Sequence, residues 1–116
     1  MKLSIILPGY NEGKSIPELF VRIIEVMTDL RYPYEIIAVN DGSRDTSARE
    51  LDAIALKNPK VKVIHFRVNA GQTAAIHAGI EHATGDVIIP LDSDLENDPR
   101  DIVRMLEKMD EGYDVV

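Results

Sequence analysis

Four short apolar runs, each followed by a polar loop and then a helical pattern, constrain this chain more than any other feature. The runs are Leu3-Ser4-Ile5-Ile6-Leu7, Tyr34 to Val39, Val61 to Phe66 and Asp86 to Leu91. They are β-branched and nearly continuous in apolar character, as strands of a parallel sheet covered on both faces require. The helical patterns between them carry readable punctuation. Ser15 with Glu18 forms a capping box around Pro17, and Ile16, Leu19, Phe20, Ile23, Ile24 and Met27 recur at helical spacing. Ser47 with Glu50 offers a second box before Leu51, Ile54 and Ala55. A third helix spans about Gln72 to Ala83, with Gly79 permitting close approach to the sheet and Gly85 placed to end it. A fourth opens at Asp98-Pro99, and Tyr113-Asp114-Val115-Val116 reads as the start of a fifth strand. The order βαβαβαβα and then β predicts an α/β fold, a Rossmann-like, mostly parallel sheet with right-handed crossovers and helices on both faces.

At 116 residues the chain makes one compact domain, burying roughly two thirds of its unfolded surface, with no room for a second. With no Cys there is no disulfide framework, zinc knuckle or thiol chemistry. No apolar run approaches the length of a membrane span. The net charge of −7, with scattered Lys and Arg, argues against nucleic acid as a partner.

Ten of the 20 acids lie from Asp86 to Asp114, and between Asp86 and Asp101 six carboxylates face one base, Arg100. A solvated acidic face would account for much of this. Position argues for more, because ligands of open parallel sheets bind outside the carboxyl ends of the strands. The loops there are Pro8-Gly9-Tyr10-Asn11-Glu12, Asn40-Asp41-Gly42-Ser43-Arg44-Asp45, Arg67-Val68-Asn69-Ala70-Gly71 and Asp92-Ser93-Asp94-Leu95-Glu96. Three of the four bring carboxylates to one rim.

Asp92-Ser93-Asp94 is the sharpest element. Carboxylates two apart at a strand end can offer oxygens to Mg²⁺ or Mn²⁺, with phosphate and water completing the octahedron. Alone, such a tripeptide is common as turn or cap chemistry; following a buried strand gives it weight. Asp41-Gly42 reads equally as a turn, with Asp45 or Ser47 capping the next helix, and Asp41 can accept from a base or ribose while Gly42 turns the chain. Tyr10 could stack on a base or be an ordinary half-buried loop aromatic. His65, His77 and His82 lack metal-ligand spacing and receive no role. Neither GxGxxG after the first strand nor GxxxxGK[ST] occurs, which disfavours a dinucleotide dehydrogenase or P-loop NTPase.

Four blocks in order resemble the N-terminal half of the family 2 glycosyltransferases of the GT-A fold, most of all the dolichol- and polyprenyl-phosphate mannosyl- and glucosyltransferase branch. They are Leu7 to Glu12, Val39 to Ser47, Asn69 to Gly79, and Gly85-Asp86 through Leu91 to Pro99. The resemblance implies an enzyme that transfers a hexose, with inversion, from a nucleotide-diphosphate sugar (UDP- or GDP-sugar) to an acceptor, often a lipid phosphate at the cytoplasmic face of a membrane. It implies Mg²⁺ or Mn²⁺ as cofactor. Carried over by motif position, Pro8, Tyr10, Glu12, Val39 and Asp41 would line the nucleoside pocket. Asp92 and Ser93 would approach ribose and diphosphate, and Asp94 would be the principal metal ligand, with Asp92 and Glu96 assisting. The resemblance names no catalytic base. Asn40 stands where an Asp is common, Gly9 replaces Thr, Val or Ser, Ser93 a frequent Ala and Glu96 a frequent Gln.

Family members continue past the strand that starts at Tyr113. The expectation is therefore that residues 1–116 are the nucleotide-sugar-binding part of a GT-A domain, truncated at the C-terminus, binding nucleotide weakly and turning over slowly or not at all. Two other readings compete. A non-catalytic nucleotide-binding or self-associating module would use an exposed sheet edge near Val115 and Val116 to form a homo-oligomer. A receiver-like phosphorylation domain also gathers Asp at strand ends, but here the paired acids follow the fourth strand.

Overall fold

The computed structural model describes residues 2–8, 16–40, 42, 46–68 and 70–90. Seven elements follow in order: β1 (Leu3–Leu7), α1 (Ile16–Leu30), β2 (Tyr34–Asn40), α2 (Thr46–Lys57), β3 (Val61–His65), α3 (Gln72–His82) and β4 (Val87–Pro90). The expected fourth helix from Asp98-Pro99 and the strand fragment from Tyr113 lie outside the described residues, as do Ser15 and Asp45.

The four strands form one parallel sheet in the order β3-β2-β1-β4. Handedness of the crossovers explains where the helices go. From β1 to β2 to β3 the chain steps in one direction, so right-handed connections put α1 and α2 on the same face. Returning from β3 past β2 and β1 to β4 reverses the step, which sends α3 to the opposite face. The packing agrees: α1 touches α2, whereas α3 lies against β1 and β2.

Alternation along the strands then divides the core in two. On the α1/α2 face, Leu3, Ile5 and Leu7 of β1 and Ile36 and Ala38 of β2 pack with Phe20, Ile23 and Met27 of α1 and Leu51 of α2. The intervening Ile6, Ile37 and Val39, also fully buried, face the other way. There Gly79 of α3 lies so close that a Cβ added to it would sit 2.6 Å from Cγ2 of Ile6. The two central strands are buried throughout, while in the outer two only Val61 and Ile89 are. Continuous apolar runs thus mark the middle of the sheet more faithfully than its flanks.

Two details differ from the expected punctuation. Ser47 is the second residue of α2, inside the helix, so it is not the N-cap. Gly85 follows the end of α3 by three residues and answers to sheet packing: a Cβ there would stand 2.5 Å from Ser4 Oγ and 2.9 Å from Lys2 O.

A buried carboxylate ties the amino-terminal end of the sheet together. Glu35, 2% exposed, sits opposite Ser4 in the β1–β2 register. Its Oε2 accepts from Ser4 Oγ (2.6 Å), Thr84 N (2.6 Å) and Thr84 Oγ1 (3.0 Å), and its Oε1 from Lys62 Nζ (2.7 Å). Ser4 Oγ in turn accepts from Gly85 N at 2.8 Å. Burial alone would raise this carboxyl's pKa, but the donors from Lys62, Ser4 and Thr84 outweigh it and bring it down to about 2.

Candidate functional site

In this strand order the chain reverses between β1 and β4, the switch point at which parallel sheets leave a crevice beyond their carboxyl ends. The register pairs Ile6 with Pro90, so the carboxyl ends of β1 and β4 lie side by side. In sequence, Tyr10 and Glu12 follow β1, and Asp92, Ser93, Asp94 and Glu96 follow β4. Fold topology, which no motif spacing could establish, makes β1 and β4 neighbouring strands.

Of the expected site residues, Pro8 and Val39 fall within the described part. Both are buried, and the pairing of Leu7 with Ala38 brings them level on adjacent strands. Gly42 holds φ 78°, a left-handed conformation that favours glycine, which supports the turn reading of Asp41-Gly42. Tyr10, Glu12, Asp41, Asp92, Ser93, Asp94 and Glu96 lie outside the described residues. Among the described residues no group of three His, Asp or Glu could hold a metal ion.

Each βα unit runs its helix back against its strand, so the helices begin at this same rim. α3 starts after Gly71, whose φ of 93° and ψ of 163° make a backbone corner open to glycine.

One polar constellation at the rim was not anticipated. Asn40, the last residue of β2 and 2% exposed, places its Nδ2 3.2 Å from His65 Nδ1 at the end of β3. His65 Nε2 lies 2.7 Å from Asp52 Oδ1 of α2. The carbonyl of Asn40 also accepts from the N–H of Phe66 at 2.8 Å. Asn40 and His65 are register partners, a fact of sheet pairing that no single stretch of sequence carries. The other histidines have local roles on α3: His77 is paired at 3.3 Å with Glu81, and His82 meets the carbonyl of Ala78 at 2.9 Å.

Among the described residues the sheet is wholly parallel, with helices on both faces, which is an α/β architecture. Comparison with known proteins narrows the class: the family model described as glycosyl transferase family 2 matches residues 4–116, and the chain belongs to that family. An undecaprenyl-phosphate 4-deoxy-4-formamido-L-arabinose transferase of Klebsiella pneumoniae is 47% identical over 116 residues, covering 99% of this chain and 36% of that protein. A Synechocystis protein described as uncharacterized glycosyltransferase sll0501 is 41% identical over 116 residues, covering all of this chain and again 36% of the relative. The chain therefore spans about a third of the length of these relatives. Among solved structures, a mannosyltransferase from Pyrobaculum calidifontis in complex with GDP-Man and Mn²⁺ superposes with a TM-score of 0.69 at 26% identity, over 79% of this chain and 27% of that one. The S. aureus TarS 1–349 structure, at a TM-score of 0.64 and 24% identity over 96% of this chain and 33% of that one, shows the same fold. The resemblance to polyprenyl-phosphate sugar transferases and the GT-A fold expected from the motifs both hold. No described helix is long and apolar enough to cross a membrane.

Proposed function

We propose that this chain is the nucleotide-sugar-binding part of an inverting glycosyltransferase that moves a hexose from a UDP- or GDP-sugar to an acceptor of the polyprenyl-phosphate kind. The observation that carries the reading is that β1 and β4, whose following segments hold the motif residues, end side by side at the switch point. Family membership over residues 4–116 and the GDP-Man and Mn²⁺ bound in the Pyrobaculum mannosyltransferase structure point the same way.

In this reading Pro8 and Val39 form the apolar floor of the nucleoside pocket, with Tyr10, Glu12 and Asp41 around the base and ribose. Asp92 and Ser93 approach the ribose and diphosphate. Asp94, with Asp92 and Glu96, supplies hard oxygen ligands suited in kind to Mg²⁺ or Mn²⁺, and Glu96 adds a negative charge. Such an ion, when bound, offsets the charge that develops on a departing nucleoside diphosphate. A phosphate acceptor is already ionised near neutral pH and needs no strong base, so a donor site without an obvious base is compatible with transfer. An enzyme with a lipid-phosphate acceptor would work at the cytoplasmic face of a membrane.

A thermal-shift screen of UDP, GDP, dTDP and their sugars with Mn²⁺ tests this. Ligand linkage predicts stabilisation by the nucleotides of one base above the others, since anything that binds only the folded state raises its melting temperature. Equal melting in all of them and in buffer would contradict the reading.

A further inference from the structure

We infer that His65, held in one tautomer by Asp52, is a positioning residue that fixes the Asn40 carboxamide and, through it, the turn from Asn40 to Gly42 on which nucleotide affinity depends. The inference rests on the nucleotide-binding reading of the rim. Asp52 is 2.7 Å from Nε2 of the ring, and an ionised carboxylate only accepts, so that nitrogen carries the hydrogen. The neutral ring then has a lone pair at Nδ1, and Asn40 Nδ2 donates to it across 3.2 Å. Because Asn40 is 2% exposed, water does not readily replace that acceptor. The Asn40 carbonyl, bonded to Phe66 N–H, ties the same residue to β3 through its backbone. Asn40 is the last residue of β2 and the left-handed Gly42 stands two residues on, so an anchored Asn40 is the fixed point from which the chain leaves the sheet.

The alternative is that the ring merely fills the sheet margin. The His65 side chain is 38% exposed and that of Asp52 61%, so packing places little demand on either. An apolar residue would serve packing equally well, whereas a tautomer-defined acceptor requires both the ring and its carboxylate partner.

The test compares His65→Leu, His65→Asn and Asp52→Ala with the unaltered chain, reading nucleotide affinity and two magnetic-resonance signals. In His65→Asn the side-chain oxygen stands near the position of Nδ1 and keeps an acceptor for Asn40; His65→Leu does not. With UDP or GDP and Mn²⁺ as probes, affinity is expected to fall roughly three- to tenfold in His65→Leu and Asp52→Ala, the loss of one buried hydrogen bond, and to stay within about twofold in His65→Asn. At about pH 8 the ring nitrogen shifts should report the Nε2–H tautomer, giving way to a mixture in Asp52→Ala. The Gly42 amide resonance should move in His65→Leu and Asp52→Ala and hold in His65→Asn. Affinity unchanged in His65→Leu, an Nδ1–H tautomer, or a Gly42 signal indifferent to all three variants would overturn the inference. If the unaltered chain binds none of the nucleotides, the reading of the rim fails and takes the affinity claim with it, while the tautomer and the Gly42 amide still decide whether the positioning chain exists.

Discussion

Glu35 shows how burial and hydrogen bonding compete at a single residue. Its carboxylate is nearly sealed from water, yet three donors from Ser4 and Thr84 and the Lys62 ammonium favour the ionised form strongly enough to bring its pKa from 4.5 to about 2. A folded value below the unfolded one means stabilisation that is complete above the unfolded pKa and is lost as pH falls through the folded one. The difference corresponds to on the order of 3 kcal/mol, lost between about pH 5 and pH 2. Urea denaturation across that range should show stability falling with acid, and Glu35→Gln should flatten this part of the dependence. At neutral pH the same variant should lose about 2–3 kcal/mol, since its amide cannot accept at both former oxygen positions. A variant as stable as the original, with an unaltered acid dependence, would contradict the assignment. The sequence gives little warning of this arrangement, because Glu35 stands in an otherwise apolar strand and its partners lie 31, 27 and 49 residues away.

Among the elements, α3 illustrates which signals were readable and which were not. Its apolar face is narrow, with Ala75 and Gly79 buried one turn apart, and small residues let the helix lie directly on Ile6. Gly79 was legible as a point of close approach because a glycine within a helical pattern disfavours helix unless packing requires it. Gly79→Ala places a methyl 2.6 Å from a buried Ile6 methyl. Although alanine favours helix, overpacking should dominate and destabilise the chain by about 1–3 kcal/mol, measurable by urea denaturation; stabilisation would show that α3 rides higher on the sheet. Gly85 looked like a helix stop but serves contact with β1, a tertiary demand invisible in a linear pattern. Ser47 looked like a cap because a capping box can be drawn wherever Ser precedes Glu by three, and only the helix start at Thr46 rules it out. The same limit hid the Asn40–His65–Asp52 chain: His65 acquires meaning only when β3 pairs with β2 in this register.

For the whole molecule, the alternating pattern of short β-branched runs and helices was sufficient to predict the parallel α/β sheet, because a buried parallel sheet leaves few other ways to satisfy both faces of each strand. It could not supply the order β3-β2-β1-β4, which sets the ends of β1 and β4 beside each other. Two polar segments some eighty residues apart in sequence leave from neighbouring strands at a switch point. The net charge of −7 acquires a consequence in that setting. In the proposed reading, a diphosphate approaching the carboxylates of Asp92, Asp94 and Glu96 would meet repulsion that a divalent cation would offset.

Calorimetric titration of the chain with its preferred nucleoside diphosphate, in Mn²⁺ and again in excess EDTA, tests that claim most directly, with Asp94→Ala as the paired variant. The account predicts binding in Mn²⁺ that weakens at least about tenfold in EDTA, and a similar weakening in Asp94→Ala with the metal present. Equal affinity in Mn²⁺ and EDTA, undiminished by Asp94→Ala, would contradict it.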